Sequence, residues 1–145
     1  MGTKYSVKKL EEFELDQYFP FFKSVARKVW LMYGKKFRYE RFRIRSFTDC
    51  HHLVICLRDA EPVGVLLYRL YPSIFDDETR IVYQDLLYAE PGTRAAYHLL
   101  HHLIDFTRHN ADHLIVMTTP YANIKGESLE RLGFKKLETL YRLEV

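Results

Sequence analysis

The residues best suited to chemistry surround one short phrase, EPGTRAA, running from Glu90 to Ala96. It separates an apolar run from an amphipathic one. The first turn of a helix exposes backbone N–H groups that no carbonyl of the helix accepts, and its macrodipole adds about half a positive charge. Gly92 lets the backbone approach a ligand, Thr93 is placed to cap, and Arg94 adds a fixed cation. Together these make an anion site, suited to a phosphate, at the carboxyl end of a buried strand. Every strand–turn–helix carries free N–H groups, so a plain connection stands beside the anion site as a reading. Just upstream, Asp85 lies among apolar residues, a setting that raises a carboxyl pKa and suits it to accept a proton from an ammonium. The alternative is that Asp85 faces outward on an alternating strand or pairs with a neighbouring arginine.

Other constellations carry weaker signals. His98, His101, His102, Asp105 and His109 fall on the polar face of one helical segment, and the 98/102 and 101/105 pairs have the spacing of a divalent-metal clamp. No glutamate follows a histidine in the HExxH manner, and a solvated face with no metal is expected. The phrase KKFRYERFRIR, residues 35–45, sets six basic residues among aromatics. It reads as a basic helix lying over core aromatics, as a surface for nucleic-acid phosphates with stacking support, or as a contact for an acidic ligand. Cys50 and Cys56 have no base or cation placed beside them, and form neither a disulfide framework nor a tetrahedral metal set.

These residues need elements to position them. Residues 4–10 read as a short edge strand and 13–33 as a helix, with Phe22, Val25, Ala26, Val29 and Trp30 at helical spacing, Pro20 near its first turn and Gly34 after its end. Residues 53–57 and 63–70 read as antiparallel strands about the turn Asp59-Ala60-Glu61-Pro62, and 80–89 as a third strand after Asp76-Asp77-Glu78. A helix follows over 93–109, with Ala96, Leu99, Leu100, Leu103, Ile104 and Thr107 as its core stripe and Asn110 ending it. Then come a short buried strand 114–119, a short helix 124–132 stopped by Gly133, and a last strand 134–145 that includes Leu137, Tyr141 and Leu143. The order predicts an α/β (α+β) fold: a twisted, mostly antiparallel sheet with one parallel crossover, flanked by helices.

At 145 residues without repeats or linkers, the chain reads as a single domain, 1–145. Lys and Arg number 22 against 19 Asp and Glu. That balance does not call for nucleic acid, so any polyanion site must come from local clustering. No apolar run approaches the roughly 18 residues of a membrane span, no signal segment opens the chain, and two cysteines suit a reducing cytoplasm. A soluble cytoplasmic protein is expected.

The strand, glycine turn and helix ending in HLLHHLIDF, followed by LIVMTT and NIKGESLERLGFKKLETLYRLEV, resemble the GNAT acetyltransferase superfamily. LERLGFKK is the most family-like phrase, and the resemblance runs over residues 53–145. It implies acetyl-CoA as co-substrate and transfer of its acetyl group to an amine of a small molecule or protein. It also implies that backbone at Leu87, Tyr88 and Ala89 holds the pantetheine arm, and that Gly92, Thr93, Arg94, Ala95 and Ala96 hold the pyrophosphate. The family turn reads roughly Gln/Arg-x-x-Gly-x-Gly/Ala. Here Pro91 takes the first position, Arg94 replaces the middle glycine, and Ala96 keeps the last. The tyrosine that many members place four residues before the Gly-Phe pair, as general acid for the departing thiolate, is Leu129. Tyr121 and Ser128 are the substitutes nearby, Asn123 lies one position from a frequently used asparagine, and Asp85 is the candidate base. The resemblance leaves a homodimer open. It also leaves open a GNAT-like module without catalysis that engages a protein or nucleic acid through residues 35–45.

Overall fold

The computed structural model describes residues 2–32, 52–137, 141 and 143. The basic–aromatic segment 35–45, Gly34, Cys50 and His51 lie outside the described residues.

Among the described residues five strands pair in sequence order: β1 (Tyr5–Lys9), β2 (His52–Arg58), β3 (Glu61–Pro72), β4 (Arg80–Ala89) and β5 (His113–Ile115). The first three junctions are antiparallel and the β4–β5 junction is parallel. The β2–β3 hairpin turns on Asp59 and Ala60, with φ of 49° and 70°. Positive φ at both central residues matches the right-handed twist of the flanking strands. At the β3–β4 turn, the Asp76 carboxylate accepts the Glu78 N–H at 2.9 Å and the Thr79 hydroxyl at 2.7 Å.

Helix α1 (Phe19–Met32) covers one face of the sheet and α2 (Ala95–Asn110) the other. On the α1 side Phe22 and Val25 pack with Leu53, Ile55, Val65, Leu67 and Tyr88. On the α2 side Ala95, Leu99 and Leu103 pack with Val54, Cys56, Leu66, Tyr68, Val82 and Leu87. Burying leucines such as Leu99 and Leu103 contributes about 1.5–3 kcal/mol each. Close approach of α2 depends on Gly64. A Cβ there would stand 2.9 Å from Leu99 Cδ1, 3.0 Å from Ala95 Cβ and 3.0 Å from the Tyr88 carbonyl oxygen.

Several expectations are corrected. The helix read over 13–33 begins only at Phe19, behind two single 3-10 turns at Glu12–Glu14 and Asp16–Tyr18, and Trp30 lies on its exposed side rather than in the stripe. On α2 Ile104 is half-buried, while Ala95 joins the buried stripe. The strand read over 114–119 pairs for three residues only, so its apolar run is not a ladder. The helix read over 124–132 is α3 (Gly126–Arg131), stopped by Gly133 at φ 98°. Residues 134–137 form no strand, and Leu137, Tyr141 and Leu143 are each exposed rather than on the buried face expected of them; residues 138–140, 142, 144 and 145 lie outside the described residues.

The histidines of α2 do not share one solvated face. His98 stacks on Tyr5 with ring centroids 4.7 Å apart, and His102 points towards Tyr68, its Nε2 buried without a hydrogen-bond partner. His101 and Asp105 stay exposed, as does His109, whose Nδ1 lies 2.8 Å from the Asp105 carbonyl oxygen. Among the described residues no His, Cys, Asp and Glu side chains converge into a metal set of three.

Two predictions concern stability. Gly64→Ala is expected to destabilise by about 1–3 kcal/mol, because the new methyl meets backbone as well as Leu99. Urea unfolding checks this: the midpoint falls while the slope stays fixed. The second concerns pH. Burial holds the His102 imidazole below its usual range, with Lys9 adding to the effect and Asp105 opposing it. Burial, then Arg94 and His101, do the same to His98. A folded pKa below the unfolded 6.5 carries no penalty well above that value. Stability is then lost as the pH falls from there through the folded value. The melting temperature is expected to drop on acidification through this window, and less steeply in His102→Phe.

Candidate active site

The site begins where β4 and β5 stop pairing. The parallel ladder joins Ile81, Val82 and Tyr83 to His113, Leu114 and Ile115 and then ends. One more link follows from a side chain: buried Gln84 accepts the Met117 N–H on its Oε1 at 2.9 Å. At the same level the β3–β4 register slips, Leu67 facing Leu86 while Tyr68 faces Gln84. Asp85 is therefore the extra residue of a β-bulge, a device common beside active sites. Leu86 packs into the α1-side cluster, and the Asp85 carboxylate turns to Arg69 of β3. Arg69 Nε donates to Asp85 Oδ2 at 2.6 Å and Nη2 to Oδ1 at 2.9 Å. The arginine pairing anticipated for Asp85 is thus present, and the apolar setting argued for a base is replaced by a guanidinium. Hydrogen bonding to Asp85 raises the Arg69 pKa further. The Tyr71 and Tyr83 rings lie 5.8 and 5.9 Å from the guanidinium carbon.

Beyond the bulge, Glu90 N–H donates to Val63 O at 2.8 Å. Alternation along an antiparallel pair then turns the backbone groups of Tyr88 towards β3 and those of Leu87 and Ala89 towards the gap left by β5. Leu87, Tyr88 and Ala89 are all buried. The chain after β5 returns to roof this edge: Ala89 N–H donates to Tyr121 O at 3.0 Å, and Asn123 Nδ2 donates to Ala89 O at 2.5 Å. Asn123 adopts φ 57°, a left-handed conformation that asparagine tolerates. Its side chain thus lies at the end of β4. Tyr121 is buried in the cluster that holds Tyr88, and Ser128 is exposed on α3. Leu129 is buried and, with Tyr83, Met117, Ile124 and Phe134, lines an open cleft of about 930 Å³ beside β5 and α3. The Tyr83 hydroxyl lies 4.0 Å from Met117 Sδ.

The turn itself holds Gly92 at φ 77°, with open space where a Cβ would stand. Thr93 does not cap α2 directly. Its hydroxyl donates to Glu90 O at 2.7 Å and receives Ala95 N–H at a long 3.4 Å, and Arg94 occupies the N-cap position. Arg94 N–H donates to the Tyr5 hydroxyl at 3.0 Å, tying the turn to β1. One of the first-turn donors is thus already used, and those of Ala96 and Tyr97 remain directed along the helix axis. The exposed Arg94 guanidinium lies 5.0 Å from the centre of the Tyr97 ring. Behind the turn, Lys28 of α1 donates to Glu90 Oε1 at 3.0 Å and to the Tyr88 hydroxyl at 3.1 Å. The hydrogen bond to Tyr88 raises the lysine pKa and burial opposes it, while burial raises that of Tyr88. Cys56 is inert, its thiol pushed up to about 11 by burial.

The structure thus gathers Asp85, Leu87, Ala89, Tyr121 and Asn123 along one strand and its crossing segment, with Gly92–Ala96 just beyond. Ser128 stands apart. Sequence reasoning passed over Arg69, Tyr83 and Lys28. The signal for Arg69 was present, a guanidinium within the apolar run VGVLLYRLY; Lys28 carried none.

No family model matches the chain, and no curated protein matches its sequence. Solved structures do match its fold. A ribosomal-protein-alanine N-acetyltransferase from Brucella melitensis biovar Abortus 2308 superposes with a TM-score of 0.74 at 18% identity, over 98% of each chain. A transcriptional regulator from Bacillus halodurans C-125 gives 0.73 at 14% identity, over 98% of this chain and 100% of its own. An aminoglycoside N-acetyltransferase, AAC(6')-Iy in complex with CoA, gives 0.65 at 12% identity, over 100% of this chain and 97% of its own. With its parallel junction cut short beside a bulge and its glycine turn leading into α2, the chain has the fold of the GNAT acetyltransferases.

Proposed function

We propose that the protein is an N-acetyltransferase that moves the acetyl group of acetyl-CoA to an amine. The observation that carries this reading is the convergence, where β4 runs on beyond its ladder to β5, of the gap-facing backbone of Leu87 and Ala89 with the glycine turn of α2. In this reading the amides of Ala96 and Tyr97, with Arg94, take the pyrophosphate, and the gap-facing edge of β4 takes the pantetheine arm. The arm needs the 119–123 segment to part from β4, where two hydrogen bonds to Ala89 hold it. The amine, its ammonium proton lost to water, attacks the thioester carbonyl carbon. The C–S bond breaks, CoA leaves as its thiolate and is protonated from solvent, and the amide nitrogen gives up its remaining extra proton to water. The Arg69–Asp85 ion pair lies at the mouth of the gap, where the acceptor enters. With Leu129 where a hydroxyl donor is common in the family, rate comes from holding amine and thioester together. The resemblance to an N-acetyltransferase seen with CoA supports the choice of co-substrate.

A second reading is a GNAT-fold module that binds without catalysis. The buried Leu129, the roofed edge of β4 and the likeness to a transcriptional regulator favour it.

Calorimetric titration with acetyl-CoA tests the first reading. Binding is expected, and Arg94→Glu is expected to weaken it about 10–100-fold, the loss of a charge-assisted contact. Absence of binding at millimolar acetyl-CoA contradicts the proposal. Binding without release of CoA thiol across an amine panel selects the second reading.

A further inference from the structure

We infer that Arg69 is the recognition point for a carboxylate carried by the amine acceptor, so that the acceptor is an amino acid or a near relative with its carboxylate free. The inference rests on the acetyl-transfer reading above and adds the class of acceptor.

A guanidinium has five N–H donors in a fixed plane. Asp85 takes Nε–H and one N–H of Nη2 in a side-on pair. The end-on edge, formed by Nη1 and the second N–H of Nη2, meets no acceptor among the described residues. That edge is the fork that matches a carboxylate bidentately. The Arg69 side chain is 43% exposed although it sits in the long central strand β3. The exposure has a structural reason. Tyr68 and Val82 face α2, so Arg69, Tyr71 and Tyr83 point to the other face, and the cluster under α1, which takes in Leu53, Ile55, Val65, Leu67, Leu86 and Tyr88, does not include these three.

The guanidinium is also held in place before any ligand arrives. Two bonds to Asp85 fix its plane, and the Tyr71 and Tyr83 rings flank it at 5.8 and 5.9 Å. Such preorganisation lowers the entropy lost on binding. Location supplies the link to chemistry. Asp85 is the bulge residue, and Leu87, whose backbone faces the gap, lies two residues further along β4, roughly 7 Å away at strand spacing. A carboxylate on Arg69 therefore leaves the amine of the same small molecule at the mouth of the gap. The sign and number of charges favour a carboxylate over a phosphate. Asp85 already neutralises much of the guanidinium charge, so a second negative charge on the ligand meets repulsion at close range.

The test compares the proteinogenic amino acids and β-alanine with their carboxamides as acceptors, following CoA thiol release with acetyl-CoA present. At least one acid is expected to exceed its amide in kcat/KM by about 10–100-fold, as a charge-assisted pair contributes. Replacing Arg69 alone takes from Asp85 its bidentate guanidinium partner, so the decisive variant is Arg69→Gln with Asp85→Asn, its fold checked by circular dichroism. The acid-to-amide ratio is expected to fall towards one. Equal use of acids and amides by the wild type overturns the inference, as does a preference that survives the double substitution. It is also overturned if acetyl-CoA binds and none of the acids is acetylated. Failure of acetyl-CoA itself to bind is a different result, and removes the acetyl-transfer reading on which this one rests.

Discussion

The fold turns on how short the ladder between β4 and β5 is. Three residues pair on each strand, Gln84 adds a side-chain link to Met117, and the strands then separate. A parallel pair that continued would give every gap-facing N–H and C=O of β4 a permanent partner and leave nothing for a ligand. The bulge at Asp85 occurs at the same level, since an extra residue on one strand bends it and increases its local twist. Separation and bulge together place a charged pair, Arg69–Asp85, at one end of the gap and the glycine turn at the other.

The turn is positioned by packing from two sides. α2 can lie close to β3 because Gly64 has no side chain, and its leucines then cover the sheet face. Its first residues are fixed from β1, where the Tyr5 hydroxyl accepts the Arg94 N–H and the Tyr5 ring stacks on His98. Across the sheet, Lys28 of α1 bonds both Glu90 and the Tyr88 hydroxyl, so the residue that opens the turn is held from the other face. The helix start and the strand end are thus held in a fixed relation, as an anion site built from backbone amides needs.

Much of this was legible in the sequence, and the misses have physical causes. β4 was readable to the residue because a charged turn precedes it and Pro91 follows it. α2 was readable from its leucine spacing. The run LIVMTT misled, because an apolar run reports burial and not pairing: residues 116–119 line a cleft instead of extending a ladder. The α2 histidines misled in the opposite sense. Polar type suggested solvent, whereas aromatic partners on β1 and β3 draw His98 and His102 inward. The sequence left two settings open for Asp85, an apolar one and an arginine pair, because a bulge sets which side chains share a face and sequence spacing does not register it. The bond from Asn123 to Ala89 was not legible, because it accompanies a left-handed backbone that sequence spacing does not register.

The central claim is that the end of β4 beyond its ladder to β5 and the start of α2 form one binding surface for acetyl-CoA. Backbone amide NMR during titration with acetyl-CoA tests it most directly. The account predicts that the largest shifts fall on Leu87, Ala89, Gly92, Ala96 and Tyr97, with Asn123 responding as its segment parts from β4. Binding that leaves these amides unmoved, with shifts confined to other parts of the sheet, would contradict it.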